Sequence, residues 1–87
     1  MNRERRKKLE WNSQVIEFLI EQFNKLTLEE VRDEEQDAFD NMPEGLQSSE
    51  RGCTMENNIE ILDNVIDKLD EIQDMLIDLS VDLDEVE

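Results

Sequence analysis

The sequence predicts an all-α fold in which two helices form an antiparallel hairpin. Turn-forming residues are concentrated in one place, Asn41-Met42-Pro43-Glu44-Gly45 followed by Ser48-Ser49. On both sides of this cluster, apolar residues recur at three- and four-residue spacing, which is the pattern of an apolar stripe along a helix. The chain has only two glycines and one proline, and two helices joined by a short connector pack antiparallel. We therefore expect one helical-hairpin domain over residues 1–87.

The first helix is predicted over about residues 3–41. It ends near Met42, because a residue directly before a proline is disfavoured in helical geometry. Its apolar stripe consists of Leu9, Ile16, Leu19, Phe23, Leu26, Ala38 and Met42.

A connector is predicted over about residues 42–48, with a turn of helix beginning at Pro43. It is either a specified turn closed by Phe39 and Leu46, with Arg51 reaching Asp40 or helix-ending carbonyls, or a recognition loop. The second helix is predicted over about 49–84, with Ser48 or Ser49 as its N-cap. Because Gly52 weakens this start, a later start near Thr54 is the alternative. The stripe of the second helix consists of Met55, Ile59, Leu62, Ile66, Leu69, Leu76 and Leu83.

The charges at the two ends support the antiparallel arrangement. A basic block opens the first helix and an acidic block ends the second, and each opposes the dipole of its own helix. An antiparallel hairpin brings the two blocks together, so that each neutralises the other. The basic block consists of Arg3, Arg5, Arg6, Lys7 and Lys8, and the acidic block of Asp78, Asp82, Asp84, Glu85 and Glu87.

Further apolar residues widen the stripes beyond what one partner helix covers. Two explanations are open: dimerisation into a four-helix bundle, and a docking surface for another protein. On the first helix these residues are Trp11, Val15, Phe18 and Ile20, and on the second they are Ile61, Val65, Ile72, Met75, Leu79 and Val86. We assign Trp11, Val15 and Phe18 to partner binding.

Composition limits the partners. A formal charge of −16 on 87 residues repels nucleic acids and anionic membranes, so we expect no direct binding to either. Proteins with basic surfaces, including those that normally hold DNA or RNA, are the expected partners. The only cysteine, Cys53, indicates a reducing compartment, and we recognise neither a signal peptide nor an apolar span. We therefore expect the protein in the cytoplasm.

The sequence offers little for catalysis. It has no histidine, no nucleophile motif and no glycine-rich phosphate loop, so we expect no enzyme, no cofactor and no metal site. One alternative is a magnesium-dependent all-α nucleotide pyrophosphatase. Its carboxylates would be Glu29, Glu30, Asp33 and Glu34 on the first helix, and Glu60 and Asp63 on the second. In a chain this acidic, a solvated face explains the same spacing.

One acidic pattern is more specific. Five aspartates follow one another at spacings of four, three, four and four, which places them on one side of a helix: Asp63, Asp67, Asp70, Asp74 and Asp78. Aspartate is a poorer helix former than glutamate, so solubility alone does not favour this row. Short carboxylates about 5–6 Å apart approximate the phosphates of a nucleic-acid strand. The pattern predicts a DNA mimic, and an ordinary solvated helix face is the alternative.

The segment Glu34–Gly52, and within it Phe39–Gly52 above all, resembles the centre of a group of short, acidic coiled-coil proteins. These proteins are encoded by phages and prophages of Gram-positive bacteria. The opening Arg3-Glu4-Arg5-Arg6-Lys7-Lys8-Leu9 is similar as well, whereas Gly45 and the Cys53-Thr54 pair depart from the pattern. The resemblance implies a phage or mobile-element origin and a host bacterial cell, but little about mechanism, since the group has no settled activity. Small acidic phage proteins often act against host nucleic-acid enzymes or defence systems, and this analogy favours an inhibitor that mimics DNA. The alternative function is a structural or scaffold coiled coil.

Overall fold

The computed structural model describes residues 1–87 and contains helices but no strand. The helices are α1 (Arg3–Phe23), α2 (Leu28–Asp40), α3 (Glu44–Gln47) and α4 (Glu50–Asp84). Their contacts divide into two units, a terminal unit made of Met1–Leu26 and Leu69–Glu87 and a central unit made of Thr27–Lys68. The all-α prediction is confirmed, and so is the long second helix. Dimerisation and the single domain stay predictions.

In the terminal unit, α1 packs antiparallel to the second half of α4. Beyond the end of α1, the Gln73 side-chain amide donates to Asn24 Oδ1 at 3.2 Å. Near the start of α1, Leu9 lines one groove together with Leu83. The start of α1 is fixed by Asn2, whose Oδ1 accepts a hydrogen bond from the Arg5 backbone N–H at 2.9 Å.

In the central unit, α2 packs antiparallel to the first half of α4. Arg32 Nε donates to Asp63 Oδ1 at 2.7 Å. At the other end, Gln47 donates from Nε2 to the carbonyls of Phe39 and Met42, at 3.1 and 3.2 Å. This side-chain amide supplies a donor to the Met42 carbonyl just beyond α2 and a further donor to the Phe39 carbonyl, which also accepts from the Met42 N–H at 3.1 Å.

The packed side of α4 follows a heptad repeat. Apart from Asp63, its partly or fully buried positions alternate at spacings of three and four, and they are Gly52, Met55, Ile59, Leu62, Ile66, Leu69, Gln73, Leu76, Ser80 and Leu83. This is the seam of an antiparallel coiled coil. Only Met55 and Ile59 are buried hydrophobic residues, and both belong to the central unit. The hydrophobic core of the chain is therefore thin.

The prediction of one uninterrupted helix over about 3–41 is wrong, because residues 24–27 are not helical and separate α1 from α2. The seam of α1 runs through Leu9, Ser13, Ile16, Ile20 and Phe23, and that of the next segment through Leu28, Arg32, Glu35, Phe39 and Met42. Each row has heptad spacing, but Phe23 and Leu28 are five residues apart instead of four. A single extra residue rotates the following stripe by about 100°. One helix ends at Phe23 and the next begins at Leu28, so that each row lies on the packed side within its own unit.

The observed seam positions also correct the predicted apolar stripe of the first helix. Leu19 and Leu26 were expected on the packed side, yet they are 43% and 50% exposed. Ala38 is exposed as well, whereas Ile20, which we placed on the additional stripe, lies in the seam. Three- and four-residue spacing alone does not distinguish a seam position from its neighbour on the flank.

The connector contains the predicted turn of helix, which is α3. Pro43 is the N-cap of α3, and Ser49 precedes α4, where its Oγ accepts from the Gly52 N–H at 3.3 Å. The alternative start near Thr54 is wrong, because α4 begins at Glu50. Phe39 is half-buried, but Leu46 is 52% exposed. The predicted pairing of Arg51 with Asp40 is not formed, and Asp40 instead accepts from Gln36 at 3.0 Å.

Candidate functional site

Helix α4 has three chemically different sides. At about 100° per residue, the aspartate row falls within an arc of roughly 80° and lies roughly 120° from the seam. An apolar flank lies on the other side of the seam from the aspartate row, and its angular distance from the seam is roughly 100°. The apolar flank consists of Ile61, Val65, Ile72, Met75 and Leu79, with Lys68 and Asp82 at its charged positions. One helix therefore carries a packing seam, an acidic side and an apolar side.

The aspartate row is exposed except at its first member. Asp63 is half-buried and forms an ion pair with Arg32 at 2.7 Å. Asp67, in the central unit, is exposed and belongs to none of the ion pairs of the chain. The same holds for the three members in the terminal unit, Asp70, Asp74 and Asp78. The row that can meet a partner therefore begins at Asp67.

The Arg32–Asp63 pair serves packing within the central unit. The hydrogen bond from Arg32 to Asp63, together with the attraction between their charges, holds the pKa of Arg32 above its usual value. Arg32 also approaches Asp33 at 3.4 Å. A guanidinium that occupies a seam position needs such partners, because a partly buried charge without one is costly.

In the terminal unit, α1 adds carboxylates to the acidic side. Glu10 and Glu17 line the same groove as Asp84 and Glu87, and Arg6 contributes the single basic side chain of the lining. The groove has a volume of about 730 Å³. Because Asn12, Leu79 and Asp82 line a different groove, the acidic and apolar sides of α4 correspond to two opposite faces of this unit.

The acidic face is not uniformly charged. Ile77 and Val81 follow Asp74 on the same side of α4 and are 43% and 54% exposed. Sequence analysis assigned neither residue to a surface, although their positions relative to the seam would have located them. The acidic side of α4 therefore carries an apolar patch beside its carboxylates.

The apolar partner residues predicted on α1 form a row of their own. Trp11, Val15 and Phe18 are exposed by 67%, 39% and 59%. They lie on the side of α1 that faces away from its seam, at an angular distance of about half a turn. The structure therefore leaves this row open and separate from the aspartate row on α4.

The predicted neutralisation of the two charged ends is only partly realised. Arg6 lines one groove with Asp84 and Glu87, so the two blocks do lie side by side. The ion pairs of the chain, however, join Lys25 to Glu21 and Arg32 to Asp33 and Asp63, and none of them joins the two blocks.

The carboxylates of the magnesium hypothesis do not converge. No group of three or more acidic, cysteine or histidine side chains is placed to hold a metal ion. Asp63, one member of the proposed set, is bound by Arg32.

None of the helices combines the length and the hydropathy of a membrane span.

Comparison with known proteins finds no match. No protein-family model fits the chain, and no curated protein and no solved structure is detectably similar to it. The resemblance to phage-encoded coiled-coil proteins therefore stays a prediction.

Proposed function

We propose that this protein is an acidic interaction protein that occupies a basic, nucleic-acid-binding surface of another protein, in the manner of a DNA mimic. Its partner is a host defence or nucleic-acid-processing protein of a bacterial cell, which the protein inhibits by covering the surface that normally holds phosphates. It performs no catalysis of its own. The contact residues are Asp67, Asp70, Asp74 and Asp78.

The observation that carries the proposal is a row of unpaired carboxylates on a single helix. All four side chains are exposed, and no lysine or arginine of the chain forms an ion pair with any of them. From Leu69 to Glu87 the chain has eight acidic residues and no basic one. Such a surface attracts a positively charged partner and accelerates its encounter.

A surface that only provides solubility has less need of this arrangement. Like charges three and four residues apart repel one another along a helix, and interspersed lysines would remove that cost. On α4 the last cation is Lys68, which lies on the apolar flank and not among the aspartates. The uncompensated row is explained if its cations are supplied by the partner.

The test compares two variants that lose the same charge. One changes Asp67, Asp70, Asp74 and Asp78 to Asn; the control changes four carboxylates outside the row to Gln, namely Glu29, Glu30, Glu34 and Glu44. Each is immobilised and exposed to bacterial lysate. We expect wild type and control to capture a protein that added duplex DNA releases, and the four-Asn variant to lose it. Equal capture by all three, or capture that DNA does not compete, would contradict the proposal.

A scaffold function is the second candidate, and the exposed aromatic row of α1 favours it. Trp11 and Phe18 are both more than half exposed, which is a large apolar area to leave in water. Binding through this row would depend weakly on salt, whereas binding through the aspartate row weakens steeply as salt rises. Trp11→Ala together with Phe18→Ala would abolish scaffold binding and leave capture through the aspartates in place.

A further inference from the structure

The part of the apolar flank that runs from Lys68 to Asp82 is self-complementary about its central residue. Met75, at its centre, is 69% exposed, the largest exposure among the large hydrophobic side chains of the chain. Ile72 and Leu79 lie three residues before it and four residues after it. The two charged positions of the flank, Lys68 and Asp82, are each seven residues from Met75 and have opposite charges.

We infer that this flank binds the same flank of a second copy of the chain in antiparallel orientation, with Met75 on the two-fold axis. In this register Met75 meets Met75 of the other copy and Ile72 meets Leu79. Lys68 meets Asp82 at both ends of the contact. A two-fold interface requires such reciprocity, because each residue pair occurs twice.

The charges decide between a second copy and an unrelated apolar partner. Lys68 is the only cation on α4 beyond Arg51, and it belongs to none of the ion pairs of the chain. An antiparallel second copy places an aspartate opposite it, whereas a parallel copy would place Lys68 opposite Lys68 and Asp82 opposite Asp82. Charges at the edges of a helical seam set orientation and partner choice in this way.

The packing of the terminal unit supports the same conclusion. No residue of this unit is fully buried, and its seam residues Leu69, Leu76 and Leu83 remain partly exposed. A helix pair of this size has little core by itself. A second copy over the apolar flank would cover Ile72, Met75 and Leu79 and leave the aspartate row facing outward. The inference is independent of the proposed function, because it uses the opposite side of α4.

Cysteine cross-linking tests the register. In a Cys53→Ser background, Met75→Cys, Ile72→Cys and Leu79→Cys are each treated with diamide, which oxidises two thiols to one disulfide. We expect Met75→Cys to give a linked dimer by itself. Ile72→Cys and Leu79→Cys should link efficiently only when the two variants are mixed. Efficient self-linking of all three variants would indicate a parallel pair and overturn the inference, as would the absence of linked dimer.

Charge exchange tests the Lys68–Asp82 pair by sedimentation equilibrium. Lys68→Glu should weaken dimerisation about tenfold, because two attractions become repulsions. The double variant Lys68→Glu/Asp82→Lys should return the dissociation constant to within about threefold of wild type. Asp82→Lys should weaken the dimer, whereas the control Asp74→Lys, with the same charge change on the acidic side, should not. A monomeric wild type at about 100 μM, or failure of the double variant to recover, would overturn the inference.

Discussion

Gly52 is the residue that allows α3 to pack closely against the start of α4 in the central unit. It lies in the first turn of α4, and a Cβ at this position would meet the Gln47 carbonyl, 2.6 Å from its carbon, and the Leu46 carbonyl oxygen at 2.7 Å. The close approach of α3 to α4 therefore requires a residue without a side chain. Gly52 has a low helix propensity, but the packing of α3 against α4 requires it at this position.

We expect Gly52→Ala to lower the free energy of unfolding by about 1–3 kcal/mol, because backbone atoms must move to admit the methyl group. Gly45→Ala is the control, since a Cβ there has nothing within 4 Å and alanine favours the helix. Urea unfolding compares the two variants. A neutral or stabilising Gly52→Ala would contradict the close packing.

The Arg32–Asp63 pair is the second feature at this scale. Both side chains are partly exposed, by 29% and 49%, so we expect a small favourable coupling between them. A double-mutant cycle with Arg32→Met and Asp63→Asn measures it by urea unfolding. Because the pKa of Arg32 is raised, the arginine stays charged until strongly alkaline pH. Its contribution should therefore not change between about pH 6 and 9. A coupling near zero would show that the contact is incidental.

At the scale of elements, the two long segments differ in how far the sequence determines them. The bounds of α4 follow from its turn residues and its unbroken heptad row. The break at residues 24–27 could have been found from two signals: the five-residue step from Phe23 to Leu28, and Thr27-Leu28-Glu29-Glu30, which matches the capping-box pattern. Neither signal is found when three- and four-residue spacings are only counted and the position of each apolar residue around the helix is not followed.

The two helix starts also differ in their caps, which makes them a matched pair. The Ser49 hydroxyl contacts both the Leu46 carbonyl and the Gly52 N–H, whereas Thr27 forms no side-chain capping bond. We expect Ser49→Ala to cost about 1 kcal/mol and Thr27→Ala less than about 0.5 kcal/mol. Thermal unfolding followed by circular dichroism compares them, and equal losses would contradict the assigned caps.

The three sides of α4 could be predicted only in part. The aspartate row was visible in the sequence, because its spacing is regular and its residue type is unusual. The engagement of Asp63 by Arg32 was not, since it joins residues 31 positions apart. By contrast, spacing alone did separate the apolar flank of α4 from its seam, because the two predicted stripes of this helix coincide with the exposed and the packed rows. Local spacing carries no information about the contact between Arg32 and Asp63.

At the scale of the whole molecule, charge governs the response to salt. The net charge of −16 produces repulsion within the folded chain that counter-ions screen. We expect the unfolding temperature to rise as NaCl increases from about 0.05 to 0.5 M, as measured by circular dichroism. The four-Asn variant should show a smaller rise. An unfolding temperature that falls with salt would mean that ion pairs outweigh the repulsion.

The proposed binding of a basic partner to the acidic side of α4 is tested by one comparison of affinities. The affinity of the captured partner is determined by calorimetry for wild type, the four-Asn variant and the matched four-Gln control at about 0.15 M salt. Each lost charge-assisted contact is worth about 1.5–3 kcal/mol. We therefore predict that the four-Asn variant binds at least about a hundredfold more weakly than the control, with its fold intact. Equal affinity of the two variants would contradict the account and transfer binding to the surface of Trp11, Val15 and Phe18.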